Sequence, residues 1–154
     1  MLKIKHFRQS KSTCGPACLR MILQYYNIKA SEKKLIKLTK CTKEKGTSAK
    51  NLIKAAHYFN IKGKIIDNAT FSDINRHINR KIPVIVNWFS TDEGHYSVVI
   101  GIDKKYIYLL DPELGKKPVK INLPKFKKVW FDFPNSYIKS KSDIVLRRII
   151  VIYN

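Results

Sequence analysis

The stretch "HYSVVIGIDKKYIYLLD" (residues 95–111) decides how this chain folds. Two apolar-rich runs, residues 95–102 and 106–111, flank the polar Asp103-Lys104-Lys105, and the pattern reads as a β-hairpin. Polar residues stand where an apolar one would fit at its two ends, His95 opening the first run and Asp111 closing the second. A three-residue loop sets Ile102 opposite Tyr106, Val98 opposite Leu110 and Ser97 opposite Asp111. Tyr96, Val98, Ile100, Tyr108 and Leu110 then share one face, and His95, Ser97 and Asp111 share the other. His95 and Asp111 become diagonal neighbours, roughly 5 to 8 Å apart at Cβ. A two-residue turn would put them on opposite faces. The apolar pattern fits either turn. The three-residue loop is expected because only that register gives both polar residues a common purpose.

Outward from the hairpin, the chain reads as helices first and strands second. Thr13 is a candidate N-cap for a helix that carries Leu19, Ile22, Leu23 and Tyr26 at helical spacing and ends at Asn27. Pro16 is tolerated in its first turn, where its missing N–H would be unpaired anyway. Ser31 can cap a second helix with Leu35, Ile36 and Leu38. Thr47 or Ser48 can cap a third, with Leu52, Ile53, Ala56 and Phe59, which stops near Asn60 to Gly63. Ser72 can cap a short fourth helix up to Arg80. After Ile82, "PVIVNWF", the hairpin, "KPVKINL", "KVWFDF" and "DIVLRRIIVIYN" read as strands, with "LRRII" an alternating strand exposing its arginines. Helices segregated from an antiparallel sheet make an α+β fold, expected as one domain over residues 1–154.

Composition narrows the function. The chain has 154 residues, 44% of them apolar, enough for a packed core. No run reaches the ~18 apolar residues of a membrane span, and "MLKIKHFRQS" is too short and too charged for a signal peptide. A soluble, cytoplasmic protein is expected. Three cysteines without regular spacing argue for reduced thiols rather than a disulfide framework. Lys+Arg 31 against Asp+Glu 11 gives a net charge of +20. The basic residues are mostly lysines spread along the chain with no Arg-rich stripe, which disfavours nucleic acid as the main partner and leaves acidic partners or substrates favoured.

Cys14 opens the first helix in "QSKSTCGPAC". A cysteine at a helix N-terminus meets unpaired N–H groups and the positive dipole end, and both favour thiolate over thiol. A histidine such as His95 can take the proton and later give it to a leaving amine. A carboxylate such as Asp111 on the other imidazole nitrogen fixes tautomer and orientation. Cys18, one turn on from Cys14, reads as a small core residue; a disulfide between the two within a helix is geometrically poor. A zinc site is not expected, because Cys14, Cys18, Cys41, His57 and His77 lack ligand spacing. No cofactor or metal is expected. Cys41 reads as a packed or free loop thiol, and His6, His57 and His77 as ordinary amphipathic positions. Trp88 and Tyr96 read as groove-lining or core residues.

Three blocks in order, "RQSKSTCGPACLRMILQYYNI", "KGTSAKNLIKAAHYF" and "GHYSVVIGIDKKYIYLLDPELG", resemble the papain-like cysteine peptidases that process bacteriocin precursors after a double-glycine leader. The resemblance covers about residues 4–122. It implies a papain-like fold of N-terminal helices packed against a C-terminal antiparallel sheet. It makes Cys14 the nucleophile, His95 the general base and acid, and Asp111 the orienting residue. Gln9 matches the glutamine whose amide, with the Cys14 N–H, forms the oxyanion hole; it lies five residues before Cys14, where the family usually has six. The implied substrate is a peptide or protein, such as a double-glycine leader precursor. Neither a membrane span nor an ATP-binding P-loop stands in the sequence, so export by this chain itself is not expected and a separate export transporter is the implied partner. The same fold retained as a non-catalytic peptide- or partner-binding module is the alternative.

Overall fold

The computed structural model describes residues 1–90, 93–133 and 138–154. Its helices are α1 (Cys14–Tyr25), α2 (Glu32–Leu38), α3 (Ala49–Tyr58), α4 (Phe71–Asn79) and α5 (Leu123–Val129). Its strands are β1 (Lys62–Ile66), β2 (Val84–Phe89), β3 (Gly94–Ile102), β4 (Tyr106–Leu110), β5 (Val119–Asn122), β6 (Phe131–Asp132), β7 (Val145–Leu146) and β8 (Ile149–Tyr153). Six strands form one antiparallel sheet in the order β1-β8-β2-β3-β4-β5, and β6 pairs with β7 apart from it. The α+β architecture expected from the sequence is present.

Nearly every residue of β2, β3 and β8 is buried, so both faces of the sheet's middle are covered. The helix α1 packs on β3 and buries Leu19, Met21, Ile22 and Leu23 there. On β1 and β8 lies α3, and on β2 and β3 lies α4. Asn27 and Asn60, just past α1 and α3, take positive φ of 61° and 58°, the left-handed turn that asparagine tolerates best after glycine.

Helices and strands are less segregated than the sequence reading expects. The strand β1 follows α3 directly and joins β8 from the far end of the chain. Its short "KGKII" sits at the sheet edge with an irregular burial pattern, which masks the strand signal. The cap of α4 is Thr70 rather than Ser72, because Asp73, three residues after Thr70, closes a reciprocal capping box with it. Of "KVWFDF", Phe131 and Asp132 are extended in β6 as expected, but Lys128 and Val129 end a helix, α5, that the strand reading did not include. Asn122 caps α5 with Pro124 in the first turn, and Phe126 and Trp130, four apart, bury together with ring centroids 5.4 Å apart. The run "LRRII" does not alternate. Arg147 turns the chain at φ 45° between β7 and β8, and half-buried Arg148 pairs with Asp67.

In the hairpin, Val98 faces Leu110 as expected, but Ile102 faces Ile107 rather than Tyr106. The turn is one residue tighter than expected and leaves β3 one residue too many: Asp103 N–H donates to the Tyr106 carbonyl at 2.9 Å around Lys104-Lys105, and Asp103 Oδ1 accepts the N–H groups of Lys105 and Tyr106. An irregularity between Val99 and Gly101 absorbs the extra residue, and Gly101 rather than Ile100 pairs with Tyr108.

Candidate active site

The bulge leaves the open end of the hairpin in the register that matters. With Val98 opposite Leu110, Ser97 comes opposite Asp111 and His95 lies diagonal to it. His95 Nε2 donates to Asp111 Oδ2 at 2.9 Å, and the Ser97 hydroxyl donates to the same oxygen at 2.8 Å. Asp111 Oδ1 accepts the backbone N–H groups of Glu113 at 2.9 Å and Leu114 at 3.2 Å. Trp88 Nε1 in turn donates to the Ser97 hydroxyl at 2.9 Å. Asp111 is 1% exposed and His95 5% exposed, so this line is a buried network with each member satisfied.

Cys14 is the other group that acts on His95, and with Nε2 on the carboxylate the ring nitrogen open to the sulfur is Nδ1. Burial alone would lower the His95 pKa. The hydrogen bonds to Asp111 and Cys14 and their negative charges outweigh it and push the imidazole up to about 10. Burial would raise Asp111, but His95, the Glu113 N–H and the Ser97 hydroxyl together hold its carboxyl below the usual range. The site therefore favours an imidazolium braced by a carboxylate and facing a sulfur.

Cys14 is brought there by the loop before α1. Gln9 N–H donates to the Pro112 carbonyl at 2.8 Å, and His6 Nε2 bonds the Asp111 carbonyl at 2.8 Å. Both contacts hang the N-terminal segment on the chain leaving β4. The loop then turns through Ser12 at φ 62°. Thr13 is the N-cap residue by position, but its side chain makes no capping bond to α1; its hydroxyl goes to the Ser10 carbonyl and to Glu32. Gly15 lies against the Thr47 side chain, so the chain around Thr47 packs on the start of α1. The Gln9 side-chain oxygen is buried without a hydrogen-bond partner among the described residues.

The structure thus brings Cys14, His95 and Asp111 together and ties the Gln9 backbone to the same corner. Cys18 is fully buried, its thiol donating to the Tyr96 carbonyl at 3.3 Å, and burial pushes its pKa well up. Cys41 donates to the Ser12 carbonyl at 3.4 Å and is pushed up to about 11, chiefly by burial. Trp88 and Tyr96 are buried, and Tyr96 hydroxyl donates to the Thr47 carbonyl. His95, Asp111 and Glu113 place ligand atoms within 4.8 Å of one another. The histidine nitrogen and one carboxylate oxygen are engaged with each other, and the second oxygen with backbone N–H groups. Two of the three donors are thus engaged in the buried network, while the Glu113 carboxylate is exposed and joins it only through its backbone N–H. Sequence reasoning passed over the contributions of Ser97, Trp88 and His6; a serine inside an otherwise apolar strand was the available signal for the first.

A family model for the peptidase C39 family matches residues 3–133. The chain belongs to the peptidase C39 family. The match runs past the 4–122 stretch of resemblance and takes in α5 and β6. Among relatives, the pediocin PA-1 transport/processing ATP-binding protein PedD of Pediococcus acidilactici is 32% identical over 125 residues. That alignment covers 78% of this chain and 16% of the relative, so the chain spans a small part of that protein. An uncharacterised protein of Methanothermobacter marburgensis is 33% identical over 125 residues, 80% of each chain. The peptidase domain of Streptococcus ComA, a bi-functional ABC transporter involved in quorum sensing, superposes with a TM-score of 0.75 at 21% identity, covering 99% of this chain and 98% of that one. A double glycine motif protease from an AMS/PCAT transporter, solved with its leader peptide, gives 0.70 at 22% identity, covering 99% and 93%. These two structures show that this C39 chain has the papain-like peptidase fold. C39 is a family of cysteine peptidases, and among the described residues no helix is long and apolar enough to cross a membrane.

Proposed function

We propose that this C39 protein is a cysteine endopeptidase that cleaves a peptide precursor after a small, Gly-Gly-like pair, using Cys14, His95 and Asp111. The observation that carries the reading is the buried His95–Asp111 hydrogen bond, with Cys14 at the start of α1 acting on the same imidazole. His95 holds the thiol proton while Cys14 Sγ bonds to the substrate carbonyl carbon. Charge moves to the carbonyl oxygen, where the Cys14 N–H and the Gln9 amide donate. The unpaired Gln9 oxygen leaves that amide free to turn its NH2 toward the oxyanion. The imidazolium then protonates the leaving amine as the C–N bond breaks, and a thioester remains. Water, deprotonated by His95, attacks the thioester, and the acid departs as the thiol recovers its proton.

The leader-peptide complex of the AMS/PCAT protease and the transport/processing role of PedD support a leader precursor as substrate and a link to export. Three free cysteines fit a reducing, cytoplasmic setting. The test is a panel of peptides that differ only at the two residues before the cleaved bond. Cleavage confined to Gly-Gly, Gly-Ala and similar pairs, and abolished by iodoacetamide, is expected. Cleavage that survives alkylation overturns the cysteine mechanism. Binding without cleavage by the untreated protein replaces it with a non-catalytic module.

A further inference from the structure

Outside the triad, the loop that joins Gln9 to Cys14 is held from other elements by Cys41, through its single bond to the Ser12 carbonyl, and more extensively by Glu32. Glu32, in the first turn of α2, accepts three hydrogen bonds across the gap between helices. Its Oε1 takes the Ser10 N–H at 2.9 Å and the Thr13 hydroxyl at 2.7 Å, and its Oε2 takes the Ser10 hydroxyl at 2.9 Å. Ser10 follows Gln9 and Thr13 precedes Cys14, so one carboxylate clasps both ends of the turn that spaces the two residues. That turn contains Ser12 at φ 62°, a conformation unfavourable for a residue with a Cβ, which needs holding in place. The clasp also diverts the Thr13 hydroxyl from capping, so the first-turn N–H groups of α1 carry no side-chain cap. Arg20 adds a favourable positive charge, and its guanidinium is fixed over the Phe7 ring at 4.1 Å.

We propose that Glu32 is a positioning residue that sets the distance and orientation between the Gln9 amide and the Cys14 N–H, and so shapes the oxyanion hole. The inference rests on the peptidase reading and deepens it. Glu32 touches neither substrate nor the reacting atoms; it acts through Ser10 and Thr13. Removing it loosens the place where charge develops while leaving Cys14 on α1 beside His95. A misplacement of about 1 Å at such a site costs up to ~100-fold in rate.

The experiment compares wild type with Glu32→Ala, and with Ser10→Ala and Thr13→Val, which cut the two hydroxyl bonds to Glu32, and leave the Ser10 N–H bond, without touching α2. Three readouts are taken: kcat and KM on a cleavable leader peptide, inhibition by a peptide aldehyde, and the rate of inactivation by iodoacetamide. In the aldehyde adduct, Cys14 Sγ bonds to the aldehyde carbon and the former carbonyl oxygen takes up the thiol proton through His95. That oxygen occupies the oxyanion position, whereas alkylation by iodoacetamide does not use it. For Glu32→Ala, kcat is expected to fall about 10- to 100-fold with KM within about twofold. Aldehyde inhibition weakens by a similar factor, and iodoacetamide inactivation stays within about twofold. The loop variants should show the same pattern in smaller measure, which keeps the test valid if Glu32→Ala folds poorly. Unchanged kcat and aldehyde affinity in all variants overturn the positioning role alone. Equal loss in all three readouts also overturns it, because it marks general loss of structure. A wild type that neither cleaves peptides nor forms the adduct overturns the peptidase reading, and this one with it.

Discussion

At the residue scale, Asp111 binds more than the imidazole ring. It takes bonds from His95, Ser97 and two backbone N–H groups while almost wholly buried. Asp111→Asn keeps the shape but offers the imidazole an NH2 in place of one oxygen, so the wrong tautomer is favoured. A kcat loss of about 10²- to 10⁴-fold is expected, checked by steady-state kinetics beside a circular dichroism spectrum that stays unchanged. His95 sets a pH limit. Its folded pKa, about 10, lies above the ordinary imidazole value of 6.5, so its contribution to stability is full below 6.5 and is lost as pH rises through about 10. Wild type should lose its Tm advantage over His95→Gln across that interval, and kcat/KM should fall on the same alkaline limb. A Tm difference that does not change with pH would contradict the imidazolium. Among these residues, His95 and Asp111 were legible because polar side chains interrupt an apolar alternation. Ser97 shared their face in the same reading, but its bond to Trp88 depends on the neighbouring strand β2. Glu32 was not legible at all, because its partners lie about twenty residues away across a helix pair.

At the element scale, the hairpin was read correctly at one end and incorrectly at the other. A two-residue turn at Lys104-Lys105 shifts the pairing by one residue, and the bulge near Ile100 shifts it back, so a three-residue loop without a bulge predicts the same register at His95. Alternation fixes faces, but it cannot see two compensating shifts. The helix α5 was missed for a related reason. Phe126 and Trp130 suit a strand as well as one face of a short helix, and the Asn122 cap with Pro124 decides between them. On α4, the capping box at Thr70 and Asp73 outweighs the nearer Ser72. Thr70→Ala is expected to cost about 1 kcal/mol, while Ser72→Ala changes stability by less than about 0.5 kcal/mol; urea unfolding of both variants checks this.

At the scale of the whole molecule, a net charge of +20 surrounds a site whose own charges are internally paired. The surplus therefore acts at long range on whatever approaches. Cleavage of a leader peptide rich in Asp and Glu should slow several-fold in kcat/KM between low and physiological ionic strength, as the screening length shortens to about 8 Å. A matched uncharged leader should be indifferent to salt. The central claim, however, is a covalent one, and intact-mass spectrometry of acid-quenched reactions with a Gly-Gly leader peptide tests it most directly. A mass increase equal to the N-terminal cleavage product less one water, located on Cys14 and absent from Cys14→Ala, is the expected result. Steady cleavage with no adduct in wild type and undiminished turnover by Cys14→Ala would contradict it.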